Sequence, residues 1–421
     1  MRRAATETRI SAPWLDDPRL ARLFAAIERE GDAAYVVGGA VRNTLLDLPA
    51  GDVDVATTAL PEAVTARARA AGLKPVPTGI DHGTVTVVVE GHPFEVTTLR
   101  QDVASHGRHA TVAFGRDWSV DAHRRDFTMN ALYASLDGVV HDFVGGIADC
   151  RAGRVRFIGS AARRIEEDYL RILRFFRFHA AYGRGPLDAE GLAAAIAARE
   201  GLAGLSAERI GQETLKLMPA IGAPVTVAAM SDAGLLQRVL GRAADLGAFA
   251  RLHALSNAGG RPARAAGEAV VFLTALAGWT EGDAIALGER LRLSNAARDR
   301  AVAATRAARA VEPGIDVNGF DRLAVATGRQ GAGDAVVLAA ARGRIDASEA
   351  LRLLGAVEGR AVPVLPLGGR DVVALGVRPG PEVGRLVEAA RAVWIGSGFT
   401  ATGDDLVKFL KAEIVRIRAN T

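Results

Sequence analysis

Between Tyr35 and Thr58 the chain reads YVVGGAVRNTLLDLPAGDVDVATT, and this stretch restricts the possible folds more than any other. An apolar run ends at Val37, two glycines follow, and a helical segment carrying Arg42 comes next. A strand that enters a helix through Gly38 and Gly39 leaves backbone N–H groups open to an anion, because no Cβ blocks the approach. Arg42, on the first turn of that helix, can add its guanidinium to the same anion. The DVDVA run predicts a strand in which Asp52 and Asp54 project from one face while Val53 and Val55 face the core. Adjacent carboxylates repel unless a cation lies between them, and Mg²⁺ is the hard cation that few carboxylates and substrate phosphates together hold. Glu95, in PFEVTTLR on a later strand, reads either as a third carboxylate on that face or as a solvent-facing residue of an alternating strand.

Up to about Val144, β-rich runs (AAYVV, DVDVA, TVTVVVE, PFEVTTL) alternate with helical pieces (RLARLFAAIERE, PEAVTARARAAG), the pattern of a small α/β domain. From about Arg163 the strand signal nearly vanishes. Ala/Leu/Arg-rich helices take over, broken near Gly259 to Pro262 and Pro363 to Gly369. With 421 residues, 49% of them apolar, the chain has room for more than one domain. No run reaches the ~20 apolar residues of a membrane span. MRRAATETRISAPW lacks the apolar core of a secretory signal, and the one cysteine, Cys150, forms no internal disulfide. A soluble protein of a reducing cytoplasm is expected. The net charge of +4, carried by arginine almost without lysine, fits a nucleic-acid partner and equally a general arginine bias, so motifs must decide.

Two further constellations bear on function. AHRRDFTMNALY, residues 122–133, predicts a helix start at which Arg124 and Arg125 could neutralise a triphosphate and Asp126 or Asn130 could bond a ribose hydroxyl; the plainer reading is charges facing water. In RIEEDYLRILRFFRF, residues 164–178, one continuous helix would place Asp168, Arg171 and Arg174 close to one face, with Arg177 continuing it, and an ordinary helix salt bridge is the plainer reading. Farther on, GERLRLSNAARDRAVAATRAARA strings Arg290, Arg292, Arg298, Arg300, Arg306 and Arg309 along a helical pattern, either for RNA phosphates or as a solvated face.

Together these motifs resemble the bacterial-type (class II) tRNA nucleotidyltransferases, the CCA-adding enzymes, and the related bacterial poly(A) polymerases. The resemblance covers Tyr35 to about Leu217 in order. It is carried by the GGxVR loop, the DxD pair, RRDFTMNAL, DFVGGIADCRAGRVRFIG, EEDYLRILRFFRF and LSAERIGQETLKLM, the last a Ser206-capped helix containing Glu213. LPLGGRDVVALGVRPGPEVGRLVEAARAVWIGSGF also looks like the family's tail. The resemblance implies an α+β protein: a small mixed α/β nucleotidyltransferase head of polymerase-β type at 1–145, a helical neck with a base-recognition helix at 146–220, and a helical, tRNA-binding body and tail at 221–421. It also implies Mg²⁺-dependent, template-independent addition of C, C and A from CTP and ATP to the 3′ end of tRNA, with no membrane and no obligate protein partner.

Residue by residue, the resemblance makes Asp52 and Asp54 the catalytic metal ligands and makes Gly38, Gly39 and Arg42 the triphosphate cradle. Arg124 would contact the nucleotide, and Asp126 and Asn130 would be its ribose-side groups. Asp168 and Arg171 would read the base. Cytosine and adenine each present an amine donor beside a ring-nitrogen acceptor, an order that uracil and guanine reverse, so an accepting Asp and a donating Arg select C and A. The wrong base leaves buried acceptors opposed, at roughly several kcal/mol. Arg174 and Arg177 would add contacts and position that pair. The polar loop LRQDVASHGRHATVAFGRDW resembles a segment kept by relatives that add the terminal A, which favours full CCA addition. No GRRFxLxHV-like signature of the poly(A) polymerases is present, and no His-Asp phosphohydrolase motif follows. Two positions depart from the family. Asn43 stands where an aspartate is common, which questions the orientation of Arg42, and Tyr169 replaces a helix-starting proline. A poly(A) polymerase, and a non-catalytic RNA-binding protein with a degenerate head, are the alternatives.

Overall fold

The computed structural model describes residues 7–80, 83–106, 109–258 and 266–419, so the break expected at Gly259 to Pro262 and the start of MRRAATETRISAPW lie outside the described residues. The chain divides into two units, Met1–Gly241 and Arg242–Thr421. The first begins with α1 (Pro18–Ile27), β1 (Ala34–Val37), α2 (Gly39–Leu45), β2 (Asp54–Thr57) and α3 (Pro61–Ala70). Strands β3 (Lys74–Gly79), β4 (Thr84–Val89), β5 (His92–Thr98), β6 (Arg100–His106) and β7 (His109–Phe114) follow, then α4 (Trp118–His123), β8 (Leu132–Ala134) and β9 (Val140–Asp142). One sheet has the order β3-β4-β5-β2-β1-β8-β9, with β2 and β5 parallel and the other neighbours antiparallel. β6 and β7 form a separate antiparallel ribbon, so the segment expected as a polar loop is instead a hairpin.

Alternation builds the sheet's core. Val85, Val87 and Val89 of β4 are buried while the residues between them are less so, and Phe94 and Val96 of β5 continue the same layer. Helix α1 covers this layer with Leu20, Leu23, Phe24 and Ile27; Asp17 caps it by accepting from Arg19 N at 2.8 Å, and Pro18 starts it.

Continuing the first unit are α5 (Gly146–Ala152), α6 (Ala161–Glu167), α7 (Leu170–Tyr182), α8 (Ala189–Ala197), α9 (Ala207–Leu217), α10 (Ala223–Asp232) and α11 (Leu235–Leu240). Asp142 starts α5: its Oδ1 accepts from Gly145 N and Gly146 N, each at 2.9 Å, and its Oδ2 from Ile147 N at 2.9 Å. A Cβ on Gly146 would lie 2.2 Å from the Thr128 carbonyl oxygen, so only glycine lets this helix sit against the 3₁₀ turn Thr128–Asn130.

The second unit consists of helices among its described residues: α12 (Leu246–Ala258), α13 (Ala266–Ala277), α14 (Glu281–Arg290), α15 (Asn295–Ala308), α16 (Val317–Ala341), α17 (Ala347–Ala356), α18 (Gly369–Ala374), α19 (Pro381–Gly396) and α20 (Gly403–Ala419). Gly328, at φ 74° and ψ 165°, kinks α16. Leu367, Val372, Leu386, Trp394, Leu406 and Leu410 form a core of their own across α18 to α20.

Several local expectations need correction. Asp52 lies in a bend before β2, and only Asp54 belongs to the strand; Val55 is buried, but Val53 only partly. RRDFTMNAL does not start a helix. Arg124 ends α4, the 3₁₀ turn follows, and the chain enters β8. Asp168 precedes α7 with an extended backbone (φ −157°, ψ 106°) rather than riding on one continuous helix. The 288–310 stretch is broken between α14 and α15, where Arg292 takes φ 48° and Ser294 caps the second helix.

A buried carboxylate, Asp121, ties α4 to β8. It is 1% exposed and receives Arg124 Nε at 2.7 Å, Arg125 Nη2 at 2.9 Å and the Tyr133 hydroxyl at 2.7 Å. Burial pushes its carboxyl up, but Arg125, Arg124 and Tyr133 outweigh that and hold it at about 2. A depressed carboxyl contributes stability above its unfolded value and loses it as the pH falls through the folded one. Asp121→Asn is therefore expected to lose about 3 kcal/mol at pH 7 in urea unfolding, because two arginines lose their counterion. The difference from wild type should shrink as the pH falls from 3.8 towards about 2; equal urea midpoints at pH 7 would contradict this.

Candidate active site

Where β1 ends and the antiparallel β2 begins, the sheet opens into a cavity of ≈ 560 Å³ whose far wall is α7 and α9. Gly38, Gly39, Arg42, Asp54, Arg124, Asp126, Asn130, Asp168, Arg171 and Arg174 all line it, so residues scattered over more than a hundred positions converge. Asp52 and Arg177 do not line it. A cavity of ≈ 620 Å³ in the second unit, between α12, α13, α16 and α17, carries none of these residues; its wall mixes leucines, valines and two phenylalanines with charged side chains.

Gly38 has φ 76°, which favours glycine, and its N–H is committed to the Leu132 carbonyl at 2.9 Å. Gly39 is different: a Cβ there would meet nothing nearer than Arg42 Nη2 at 3.9 Å. Its lack of a side chain therefore serves the cavity rather than the packing. Arg42 is 6% exposed, and burial pulls its guanidinium below the usual value. Nε and Nη2 donate to Asn43 Oδ1 at 3.1 and 2.8 Å, Nη1 to Asn130 Oδ1 at 2.6 Å and Nη2 to the Tyr182 hydroxyl at 2.8 Å. Asn43, held in turn by the Pro49 carbonyl at 2.7 Å, thus fixes the orientation that its replacement of aspartate had placed in question. Its amide contributes no charge, and among the described residues no carboxylate pairs with Arg42. A buried, uncompensated guanidinium beside an open glycine favours an anion.

Across the cavity lies the opposite charge. The Val55–Val96 pairing sets Asp54 alongside Glu95, and both face the cavity. Burial, then Glu95, then Asp52 push the Asp54 carboxyl above its ordinary value. Glu95 is thus on the same face as Asp54 and at the same time exposed. Among the described residues no group of three or more His, Cys, Asp or Glu side chains closes a metal cage. Mg²⁺ needs none, since one or two carboxylates and substrate phosphates suffice, so this repelling donor set fits it.

The wall made by α7 is a chain of ion pairs. Asp126 Oδ2 receives Arg174 Nε at 2.8 Å and Nη2 at 2.6 Å, while its Oδ1 receives Asn130 Nδ2 at 2.9 Å and Phe127 N at 2.8 Å. Arg177 donates from Nε to Glu213 Oε2 of α9 at 2.5 Å and lies over the Phe178 ring at 4.4 Å. Asp168 and Arg171 are not paired with each other. Asp168 binds Arg209 and Arg171 binds Glu167. Tyr182 and Arg209 have no signal in the sequence because tertiary folding alone brings them to Arg42 and Asp168, whereas Glu167 stands four residues before Arg171, at helical spacing. Asp121 was legible, since it stands three and four residues before Arg124 and Arg125 on a helical turn.

The arginine-rich stretch of the second unit is largely committed within the protein. Arg300 makes a two-point bond to Asp334 at 2.7 and 2.9 Å, and Arg306 binds Glu281 at 2.6 Å. No single helix among the described residues is long and apolar enough to cross a membrane.

Residues 34–156 match the family model described as Poly A polymerase head domain. The chain is 33% identical over 408 residues to the mouse (Mus musculus) protein named CCA tRNA nucleotidyltransferase 1, mitochondrial, covering 93% of this chain and 89% of that one. It is 41% identical over 167 residues to the CCA-adding enzyme of Bacillus cytotoxicus, 39% of this chain and 41% of that one. The solved structure of the Bacillus stearothermophilus CCA-adding enzyme in complex with CTP superimposes with a TM-score of 0.75 at 27% identity, covering 98% of this chain and 100% of that one. With a relative this similar over nearly its whole length, the chain belongs to the CCA-adding tRNA nucleotidyltransferase family, which shares its head domain with the poly(A) polymerases.

Proposed function

We propose that this protein adds C, C and A from CTP and ATP to the 3′ end of tRNA, selecting the bases with its own side chains. The observation that carries the reading is one cavity lined by Asp54 and Arg42 together with Asp168 and Arg171, whose side chains are not paired with one another. The mouse relative is named for CCA addition to tRNA, and the Bacillus stearothermophilus structure holds CTP. The reaction joins the RNA 3′-oxygen to the α-phosphorus and releases pyrophosphate. Gly38 and Gly39 admit the triphosphate, Arg42 neutralises it, and Arg124 adds a second guanidinium. Asn130 and Asp126 face the ribose. Asp168 accepts the base's exocyclic amine, Arg171 donates to its ring nitrogen, and Arg174 and Arg177 keep α7 in place beneath it. When bound by Asp52 and Asp54, Mg²⁺ supplies charge neutralisation at the phosphates and acidifies the attacking hydroxyl.

The proposal assigns residues 1–145 to a head, 146–220 to a neck and 221–421 to a tRNA-binding body and tail. A cytoplasmic compartment is part of it, resting on the one buried thiol, Cys150, which burial pushes up to about 11 and so keeps unreactive.

Labelled nucleotides offered with Mg²⁺ to tRNA transcripts ending before CCA, after CC and after CCA test the reading. C then A, stopping after CCA, is expected; a long A tract on any RNA without C would make the protein a poly(A) polymerase. Arg171→Ala should accept U and G more readily while retaining RNA affinity, and an equal loss of all four nucleotides would contradict its role.

Asp54 gives an independent readout. Its folded value lies above its unfolded one, so the stability it contributes is present at low pH and is lost as the pH rises through the folded value. At pH 7.5 without metal, Asp54→Asn should therefore raise Tm, abolish incorporation and erase the Tm increase that Mg²⁺ with CTP gives the wild type. A lower metal-free Tm in the variant would contradict the repulsion.

A further inference from the structure

An Asp and an Arg three residues apart on a helix ordinarily neutralise each other, and a pair so joined has few donors or acceptors left for a base. Here the two are kept apart. Asp168 sits before α7 on extended backbone; its Oδ1 accepts from Leu170 N at 3.1 Å and its Oδ2 from Arg209 Nη2 at 2.6 Å. Arg171 donates instead to the Arg164 carbonyl at 2.7 Å and to the Glu167 carboxylate. Arg174, another guanidinium of the same wall, is taken by Asp126. Arg209 reaches across from the first turn of α9, which Ser206 caps, and it lines the same cavity.

We propose that Arg209 is a positioning residue for base selection. It satisfies the charge of Asp168 from the side of α9, holds the carboxylate away from Arg171, and leaves the remaining lone pairs of Asp168 turned towards the base. Without it, Arg171 is the cation next along the chain. A direct pair between the two would withdraw both reading groups at once. This inference rests on the CCA-adding reading above.

The test uses the full-length enzyme with Mg²⁺ and a tRNA ending before CCA. The kcat and KM for CTP and UTP are measured for wild type, Arg209→Ala and Arg209→Lys, with Tm recorded for each. Arg209→Ala should lower the CTP-to-UTP ratio of kcat/KM at least tenfold, chiefly through a higher KM for CTP, and Arg209→Lys should restore most of that ratio. If Arg209→Ala melts below the assay temperature, Arg209→Gln, which keeps a polar side chain and its aliphatic stem without the charge, is read in its place with the same expectation. A folded variant with an unchanged ratio, or an equal fall in kcat for both nucleotides, overturns the inference. A wild type that adds no C overturns the functional reading and this inference with it. A wild type that adds C beside an unselective effect of Arg209 overturns this inference alone.

Discussion

Asp126 and Arg174 make the two-point bond on which the cavity depends. Asp126 belongs to the turn that leads the chain back into the sheet, and Arg174 to the helix that forms the opposite wall, so the bond sets the width of the opening between them. The same carboxylate orients Asn130, whose oxygen then receives Arg42. The Arg42 guanidinium is thus positioned by a contact that begins on α7. Aromatic packing supports the arrangement from below: Phe127 lies 5.1 Å from Phe178 and 4.9 Å from Phe157, so the turn carrying Asp126 is anchored in an apolar cluster.

Charge is distributed unevenly around this opening, and the imbalance suits a polyanion brought with a divalent cation. Asp54, beside Glu95, provides an edge where like charges crowd and burial discourages ionisation. Arg42 provides the reverse, a buried cation whose partners are neutral oxygens. Each is unfavourable alone, and a metal-bound triphosphate would relieve both. Arg174, Arg171 and Arg177 are matched to Asp126, Glu167 and Glu213, which fixes the helices, whereas Arg124 and Arg125 share the one carboxylate of Asp121 and leave a positive charge in excess. The protein therefore reserves its uncompensated charge for the ligand.

Much of this was legible in the sequence. Local periodicity found α1, α3, β1, β4 and β5, because each pairs a buried stripe with a turn or cap at its end. Gly38, Gly39, Arg42 and Asp54 were found because the chemistry needs them close together along the chain. Failures came where tertiary contacts decide. The β6–β7 ribbon stands apart from the seven-stranded sheet as a separate two-stranded one, and its polar sequence was taken for a loop. RRDFTMNAL has helical residue types, yet the pairing of β8 with β1 and β9 draws it into the sheet. Asp168 fell on a smooth helical pattern, but the chain breaks between α6 and α7 so that its carboxylate can meet Arg209, forty-one positions away. No spacing rule encodes that meeting.

The central claim is that protein side chains, rather than a nucleic-acid template, choose the base. Equilibrium binding of CTP, ATP, UTP and GTP to the full-length protein with Mg²⁺ and no RNA tests it most directly. The account predicts that CTP and ATP bind at least several-fold more tightly than UTP and GTP, and that Asp168→Ala erases the difference. Equal affinities for all four nucleotides in the wild type would contradict it.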